Sequence, residues 1–186
     1  MESKLFTPVT FGPLTLRNRT IRSAAFESMC PGNAPSDMLL NYHRSVAAGG
    51  IGMTTVAYAA VTRSGLSFDR QLWMRPEIIP GLRRLTDAVH AEGAAAGIQL
   101  GHCGNMSHKS ICGCTPVGAS GGFNLYSPTF VRGLRADELP ELARAYGRSV
   151  NLAREAGFDA VEIHAGHGYL ISQFLSPATN HRKDEF

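Results

Sequence analysis

Cysteine is scarce in this sequence. Its four residues, Cys30, Cys103, Cys112 and Cys114, are too few to staple a chain of 186 residues, so a disulfide scaffold is excluded and a reducing cytoplasm fits. An N-terminal apolar h-region is missing as well. Met1-Glu2-Ser3-Lys4-Leu5-Phe6 is too polar to start one, and no secretory signal peptide is expected. Without such a signal, the sequon Asn18-Arg19-Thr20 is a chance match. Long hydrophobic runs are also lacking. The uncharged stretch 45–62 approaches membrane length, but it holds Gly49, Gly50, Gly52 and three threonines, and no Leu or Phe. That composition suits a buried strand following a helix C-terminus rather than a membrane span. Basic residues are scattered at a net charge of +3, with Arg83-Arg84 and Arg182-Lys183 the adjacent pairs. No basic stripe with interleaved aromatics is present, so neither a nucleic acid nor a membrane is expected as a partner. No linker and no exact repeat divides the chain. With 44% hydrophobic residues, a single domain spanning 1–186 is expected.

What is present is alternation. Thr20–Phe26 reads as a strand. Ser36–Ala48 reads as a helix with Ser36 as N-cap, Leu39, Tyr42 and Val46 on one face, and Gly49 as stop. The apolar run Ile51–Val61 suits a parallel strand covered on both faces. A second helix starts near Pro76, with the stripe Ile78, Leu82, Leu85 and Val89, and ends at Gly93. A strand over Ala95–Leu100 precedes a long loop, Gly101–Leu134. Leu139, Leu142, Ala143, Tyr146, Val150 and Ala153 mark a third helix, with Asp137 as N-cap and Gly157 as stop. The strand Ala160–His164 and a short helix over Tyr169–Leu175 follow.

This is a βα series, used both by open doubly wound sheets and by closed barrels. Gly50-Ile51-Gly52 lacks the third glycine of a dinucleotide fingerprint and precedes a strand rather than a helix, so nothing favours the open sheet. In a barrel, functional groups gather at the C-terminal ends of the strands. Ser23–Ser28, Gln99, His102, His164, His167 and Tyr169 all fall there. Around Gly12-Pro13, two alternating segments predict a hairpin ahead of the first strand, placed to plug the barrel's bottom.

His164-Ala165-Gly166-His167-Gly168-Tyr169 is the segment richest in chemistry. Two glycines let the backbone turn, so that two imidazoles and one phenol can share a cavity. Such a set can hold a carbonyl oxygen that gains negative charge and can supply a proton. The alternative is a pair of ordinary strand-end histidines beside a packing tyrosine. Metal binding by the i, i+3 histidines with Glu162 is a further alternative, with no nearby Asp or Cys as an additional ligand. His102-Cys103, His108 and Cys112-Gly113-Cys114 fit no standard zinc spacing and read as a loop with incidental thiols. Gln99, an amide at the end of an apolar strand, needs hydrogen-bonding partners. Backbone or the imide edge of a heterocycle would satisfy it.

Several segments together resemble the Old Yellow Enzyme flavin oxidoreductases, in the branch of bacterial ene-reductases and 2,4-dienoyl-CoA reductases. They are Leu5-Phe6-Thr7-Pro8, Leu16-Arg17-Asn18-Arg19, Ile98-Gln99-Leu100-Gly101-His102, the run from Glu155 to His164, and Gly168–Pro177, followed by Asn180–Phe186. The resemblance implies a (β/α)₈ barrel with FMN across its C-terminal mouth. NAD(P)H would reduce the flavin, and an electron-poor alkene such as an enone or enoyl compound would accept the hydride. By position, Ser23, Ala24, Ala25 and Phe26 would line the flavin ring, Gln99 its pyrimidine edge, and Tyr58 would lie near it. His164 and His167 would hold the substrate oxygen, with Tyr169 as proton donor.

The chain also departs from the family. Ala24-Ala25 stand where Pro-Met or a similar pair is frequent, Phe26 where Cys or Thr can tune the flavin, and Asn105 where many members carry Arg. The motif interrupted at Phe186 normally runs on, so a truncated partial barrel of about four βα units is expected. The phosphate-binding loops, strands five to eight and any iron–sulfur segment of the dienoyl-CoA reductase type would then lie outside it. A small-molecule substrate is the expected partner, and a homo-oligomer completing a barrel is compatible. An inactive half-barrel remnant and a flavin-free metal-assisted barrel enzyme are the competing expectations.

Overall fold

The computed structural model describes residues 3–186. It opens with the hairpin β1 (Val9–Phe11) and β2 (Leu14–Leu16), paired antiparallel around Gly12 at φ +53°. The next elements are β3 (Ile21–Arg22), α1 (Asp37–Ala48), β4 (Met53–Ala60), the short β5 (Leu72–Trp73), α2 (Ile79–Ala91) and β6 (Ala95–Gly101). After them come α3 (Lys109–Cys112), β7 (Val117–Gly118), β8 (Gly122–Asn124), β9 (Thr129–Gly133), α4 (Leu139–Glu155), β10 (Ala160–Ile163) and α5 (Leu170–Leu175). Among the described residues no helix is long and apolar enough to cross a membrane.

The principal sheet runs β10-β6-β4-β3, all parallel, with β5 added at the end of β4. Spatial order thus follows chain order, as successive βα units produce. Helix α1 packs on α2 and α2 on α4, so the three form one layer against one face of the sheet. Between the layers lie Leu39, Leu82, Leu85, Ile98, Leu100 and Ala153, each fully buried. The result is a partial (β/α)₈ barrel with its inner face uncovered by helix.

Local chemistry explains the element ends. The Ser36 hydroxyl accepts from the Leu39 amide and caps α1, satisfying one of the free amides of a helix start. Arg17, leaving the hairpin, donates to the carbonyls of Ala47, Ile51 and Glu92. One guanidinium thereby anchors the hairpin to the turns that enter β4 and β6, at the N-terminal end of the sheet.

Five sequence expectations are corrected. The first strand pairs only over Ile21–Arg22, and 23–30 runs on without secondary structure. In α1 the buried stripe is Leu39, His43 and Ala47 rather than Leu39, Tyr42 and Val46. In α4 it is Ala145, Ser149 and Ala153. Of the expected face, Leu139, Leu142, Tyr146 and Ala153 do pack against the core, while Val150 and Ala143 face solvent. Asp137 is not its N-cap. The chain enters α4 through a 3-10 turn, Ala136–Glu138, in which the Glu138 carboxylate accepts from the Arg135 amide. The stretch Gly101–Leu134 is not a plain loop either. It folds into α3 and a separate three-stranded sheet, β7-β9-β8.

Candidate active site

The candidate site forms where β4, β6 and β10 end. Register places Gln99 beside Glu162, both on the uncovered inner face, and Gln99 Nε2 donates to Glu162 Oε1. The Gln99 carbonyl oxygen accepts no hydrogen bond among the described residues and is free to meet a donor.

Strand β4 carries a bulge. Val56 pairs with Ile98, but the next pair is Ala59 with Leu100, so Ala57 and Tyr58 together oppose Gln99. A bulge bends the strand and re-aims a side chain. Here it releases the Ala57 amide from the ladder, and both Glu27 carboxylate oxygens accept from it at 3.2 and 3.3 Å. Glu27 also receives Arg22 Nη1 at 2.8 Å and lies 3.3 Å from His43 Nε2. His43, with 0% exposure, bonds the Thr54 hydroxyl through Nδ1 at 2.8 Å. A buried acid therefore holds the bulge. The sequence reading missed Glu27, and its one signal was a carboxylate in an otherwise apolar segment after the first strand.

The bulge turns Tyr58 toward the strand ends. Its hydroxyl donates to the Gly65 carbonyl at 2.7 Å. Its ring meets those of Tyr169 and His164 edge-on, with centroids 5.2 and 5.8 Å apart. Tyr58 thus forms the wall behind the His164–His167–Tyr169 group. Burial, foremost, pushes its phenol well above the ordinary range.

The two histidines come together, but not as two free donors. His167 Nδ1 lies 3.1 Å from His164 Nε2, so one proton bridges the rings and one N–H is taken up there. His167 adopts φ +58°, an unusual left-handed conformation for a non-glycine residue that here tips the ring toward His164. Burial lowers the His164 pKa, and repulsion from His167 adds to this, against the attraction of Glu162. His164 therefore favours the neutral ring.

Tyr169 stands at the N-terminus of α5, its hydroxyl 3.3 Å from that of Ser67. Burial raises its pKa, with partial opposition from the Ser67 hydrogen bond, so the phenol keeps its proton at neutral pH. Behind it, Gln173 is 2% exposed and bonds the carbonyls of Cys103 and Gly168 and the Asn105 side chain. These contacts fix the turn that presents His167 and Tyr169.

Ser23, Ala24, Ala25 and Phe26 follow β3 without secondary structure. Among the described residues the amides of Ala24, Ala25 and Phe26 have no backbone partner outside the strand ladders, and Phe26 is 45% exposed and stacked on Phe68 at 4.9 Å. A flat heterocycle with an imide edge fits these features. The segment after β3 offers an open surface with free amides, and the Gln99 side chain offers a free carbonyl to a ring N–H. FMN carries such a ring. Glu162, by contrast, has no His164 or His167 contact that would make a metal site, and no cluster of three metal-ligating side chains occurs among the described residues.

Comparison with known proteins agrees with this fold. The 4,4'-dithiodibutanoate disulfide reductase of Rhodococcus erythropolis is 44% identical over 182 residues, covering 98% of this chain and 45% of that protein. An NADPH dehydrogenase of Bacillus subtilis is 36% identical over 191 residues, covering 100% of this chain and 55% of that one. Among solved structures, the old yellow enzyme homologue from Zymomonas mobilis superposes with a TM-score of 0.91 at 29% identity, over 98% of this chain and 54% of its own. Morphinone reductase in complex with tetrahydroNAD gives 0.90 at 28%, over 99% and 55%. The chain spans about half the length of these relatives. The model of the NADH:flavin oxidoreductase / NADH oxidase family matches residues 4–186, and with the partial barrel and the group at its strand ends, that match places the chain in this family.

Proposed function

We propose that this chain supplies the substrate-facing half of the active site of an NAD(P)H-dependent FMN oxidoreductase acting on activated alkenes. The observation that carries the proposal is the convergence of His164, His167 and the Tyr169 hydroxyl beyond β10, beside Gln99. When bound, FMN supplies the hydride that NAD(P)H delivers and an electron-poor alkene accepts.

The residues divide the remaining work. Ser23, Ala24, Ala25 and Phe26 would line one side of the ring, and the Gln99 side-chain carbonyl would accept a hydrogen bond from its pyrimidine N–H. A substrate carbonyl oxygen displaces the His164–His167 hydrogen bond and takes an N–H from each ring. Each such donor contributes ~10²–10³ in rate. Tyr169, kept protonated by burial, places its proton on the carbon next to the carbonyl, a contribution of ~10²–10⁴. Tyr58 excludes water from behind the pair. A cytoplasmic enzyme with a small-molecule substrate fits this chemistry.

The test uses a protein in which this chain is joined to the remaining half of the family's length, and stopped-flow measurement of the two half-reactions. Tyr169→Phe should leave flavin reduction by NAD(P)H nearly intact and slow reoxidation by a cyclic enone ~10²–10⁴-fold. Equal slowing of both steps, or of neither, overturns the proton-donor assignment. His164→Ala should weaken binding of a simple phenol, and unchanged binding overturns the oxygen-holding role.

A further inference from the structure

The Cys112-Gly113-Cys114 segment lies on the outer side of the barrel's C-terminal end, at the close of α3. Gly113 ends that helix in the left-handed region, at φ +75°, its amide bonded to the Lys109 carbonyl. This turn carries Cys114 back over Cys112. The Cys112 thiol donates to the Cys114 carbonyl at 3.2 Å, and the Cys114 thiol donates to Cys112 Sγ at 3.6 Å. Two free thiols thus face each other with no side chain between them, needing to close only to the ~2.05 Å of a sulfur–sulfur bond.

Their exposures differ in a useful way. Cys112 is 2% exposed, while Cys114 is exposed and borders a cavity of about 360 Å³ with Ser64, Thr115 and Arg132. The Arg63 guanidinium lies against Gly113. The other two cysteines are buried, Cys103 within electrostatic reach of the pair, and burial, foremost, pushes both thiols up to about 12. Reactivity is therefore confined to one pair, with one sulfur accessible and its partner shielded. A glycine between them is what permits the approach, since any side chain at position 113 would strain the left-handed backbone and meet Arg63.

We propose that Cys112 and Cys114 form a redox-active dithiol site that exchanges with small neutral organic disulfides, separate from the flavin site. Cys114 gives up its proton, and its sulfur attacks one sulfur of R–S–S–R. That bond breaks, the first R–S⁻ leaves and takes up the proton, and Cys114 holds R as a mixed disulfide. Cys112 then loses its proton and attacks Cys114 Sγ, releasing the second R–S⁻ to be protonated. The substrate gains two electrons and becomes two thiols, and the protein loses two as a Cys112–Cys114 disulfide. Two molecules of a small monothiol reverse the protein's oxidation and leave as their own disulfide. Burial, foremost, and the Cys112 contact raise the Cys114 pKa, while Arg63 and Arg132 oppose this. Exchange should therefore quicken as pH rises, because the thiolate is the nucleophile.

The experiment treats the reduced, flavin-free chain with bis(2-hydroxyethyl) disulfide and reads intact mass and the peptide containing 109–115. The wild type should lose the mass of two hydrogens and carry a Cys112–Cys114 crosslink that 2-mercaptoethanol removes. Cys112→Ser should stop at a stable mixed disulfide on Cys114. Cys114→Ser should lose both reactions, with Cys30 and Cys103 unmodified in every case. A wild type that retains the mixed disulfide, remains fully reduced, or reacts first at Cys30 or Cys103 overturns the proposal. Because the wild-type crosslink is itself a readout, the result does not depend on either variant folding.

Discussion

Gly101, the last residue of β6, faces Tyr58 across the bulge of β4 so closely that a Cβ there would overlap the tyrosine ring. The same Cβ would stand 3.2 Å from Cβ of His164. The absence of a side chain on one strand thus makes room for the aromatic wall built on its neighbour. Gly101→Ala should destabilise the chain by ~1–3 kcal/mol through overpacking. Tyr58→Leu in the same chain should recover part of that loss. Urea melts of the two single variants and the double variant measure the coupling, and simple additivity would show that the two positions do not press on each other.

Glu27 should matter more for stability than an ordinary carboxylate. Glu27→Ala leaves Arg22 with a weakened set of partners and the Ala57 amide with none, at a cost of about 3 kcal/mol or more. Glu27→Gln retains an acceptor for Ala57 and should cost less. Near-ultraviolet circular dichroism should also change in Glu27→Ala, because the bulge it holds aims Tyr58. An unchanged aromatic signal would separate Glu27 from the bulge.

Tyr58→Phe keeps the ring and removes the hydrogen bond to Gly65. The Gly65 carbonyl keeps the Cys103 amide as a donor but loses the hydroxyl, and stability should fall by ~1 kcal/mol, with the site's shape preserved. Thermal melts check the magnitude. A loss several times larger would mean that the loop carrying Gly65 unfolds without that bond.

His102 gives the chain an acid-sensitive point. It is 1% exposed, and its Nδ1 accepts from the Gly104 amide while Nε2 meets the Ser64 hydroxyl. A ring that accepts at Nδ1 is neutral, and burial lowers its pKa from 6.5 to about 4. As pH falls below about 6.5, the unfolded chain takes up the proton first. The stability contributed by neutral His102 is complete above that pH, declines through the interval, and is gone below about 4. The loss amounts to roughly 3 kcal/mol. His102→Gln removes the titration, so its stability should fall less between pH 7 and 4 than that of the wild type. Parallel pH profiles of denaturant midpoints decide it.

The sequence by itself determined the βα series, the hairpin ahead of it, and the positions of α1 and α2. In each, periodicity and cap chemistry act over a few residues: Ser36 caps the helix it precedes, and Ile78, Leu82, Leu85 and Val89 all enter the core. It also brought His164, His167 and Tyr169 into one group, because two glycines within six residues leave the backbone free to turn there. Only the tertiary structure decided the rest. Which face of α4 is buried depended on how the helix lies on the sheet, which covers Ala145 and Ser149 and leaves Val150 to solvent. The strands hidden in 101–134 depended on pairing between segments that have no strong pattern of their own. The bulge that re-aims Tyr58 arises from register between β4 and β6, and the acid that holds it, Glu27, lies 30 residues before the amide it bonds. The reversal that lays Cys114 on Cys112 required a left-handed glycine at a helix end. Local sequence permits such a turn, but the surrounding fold is what makes it close.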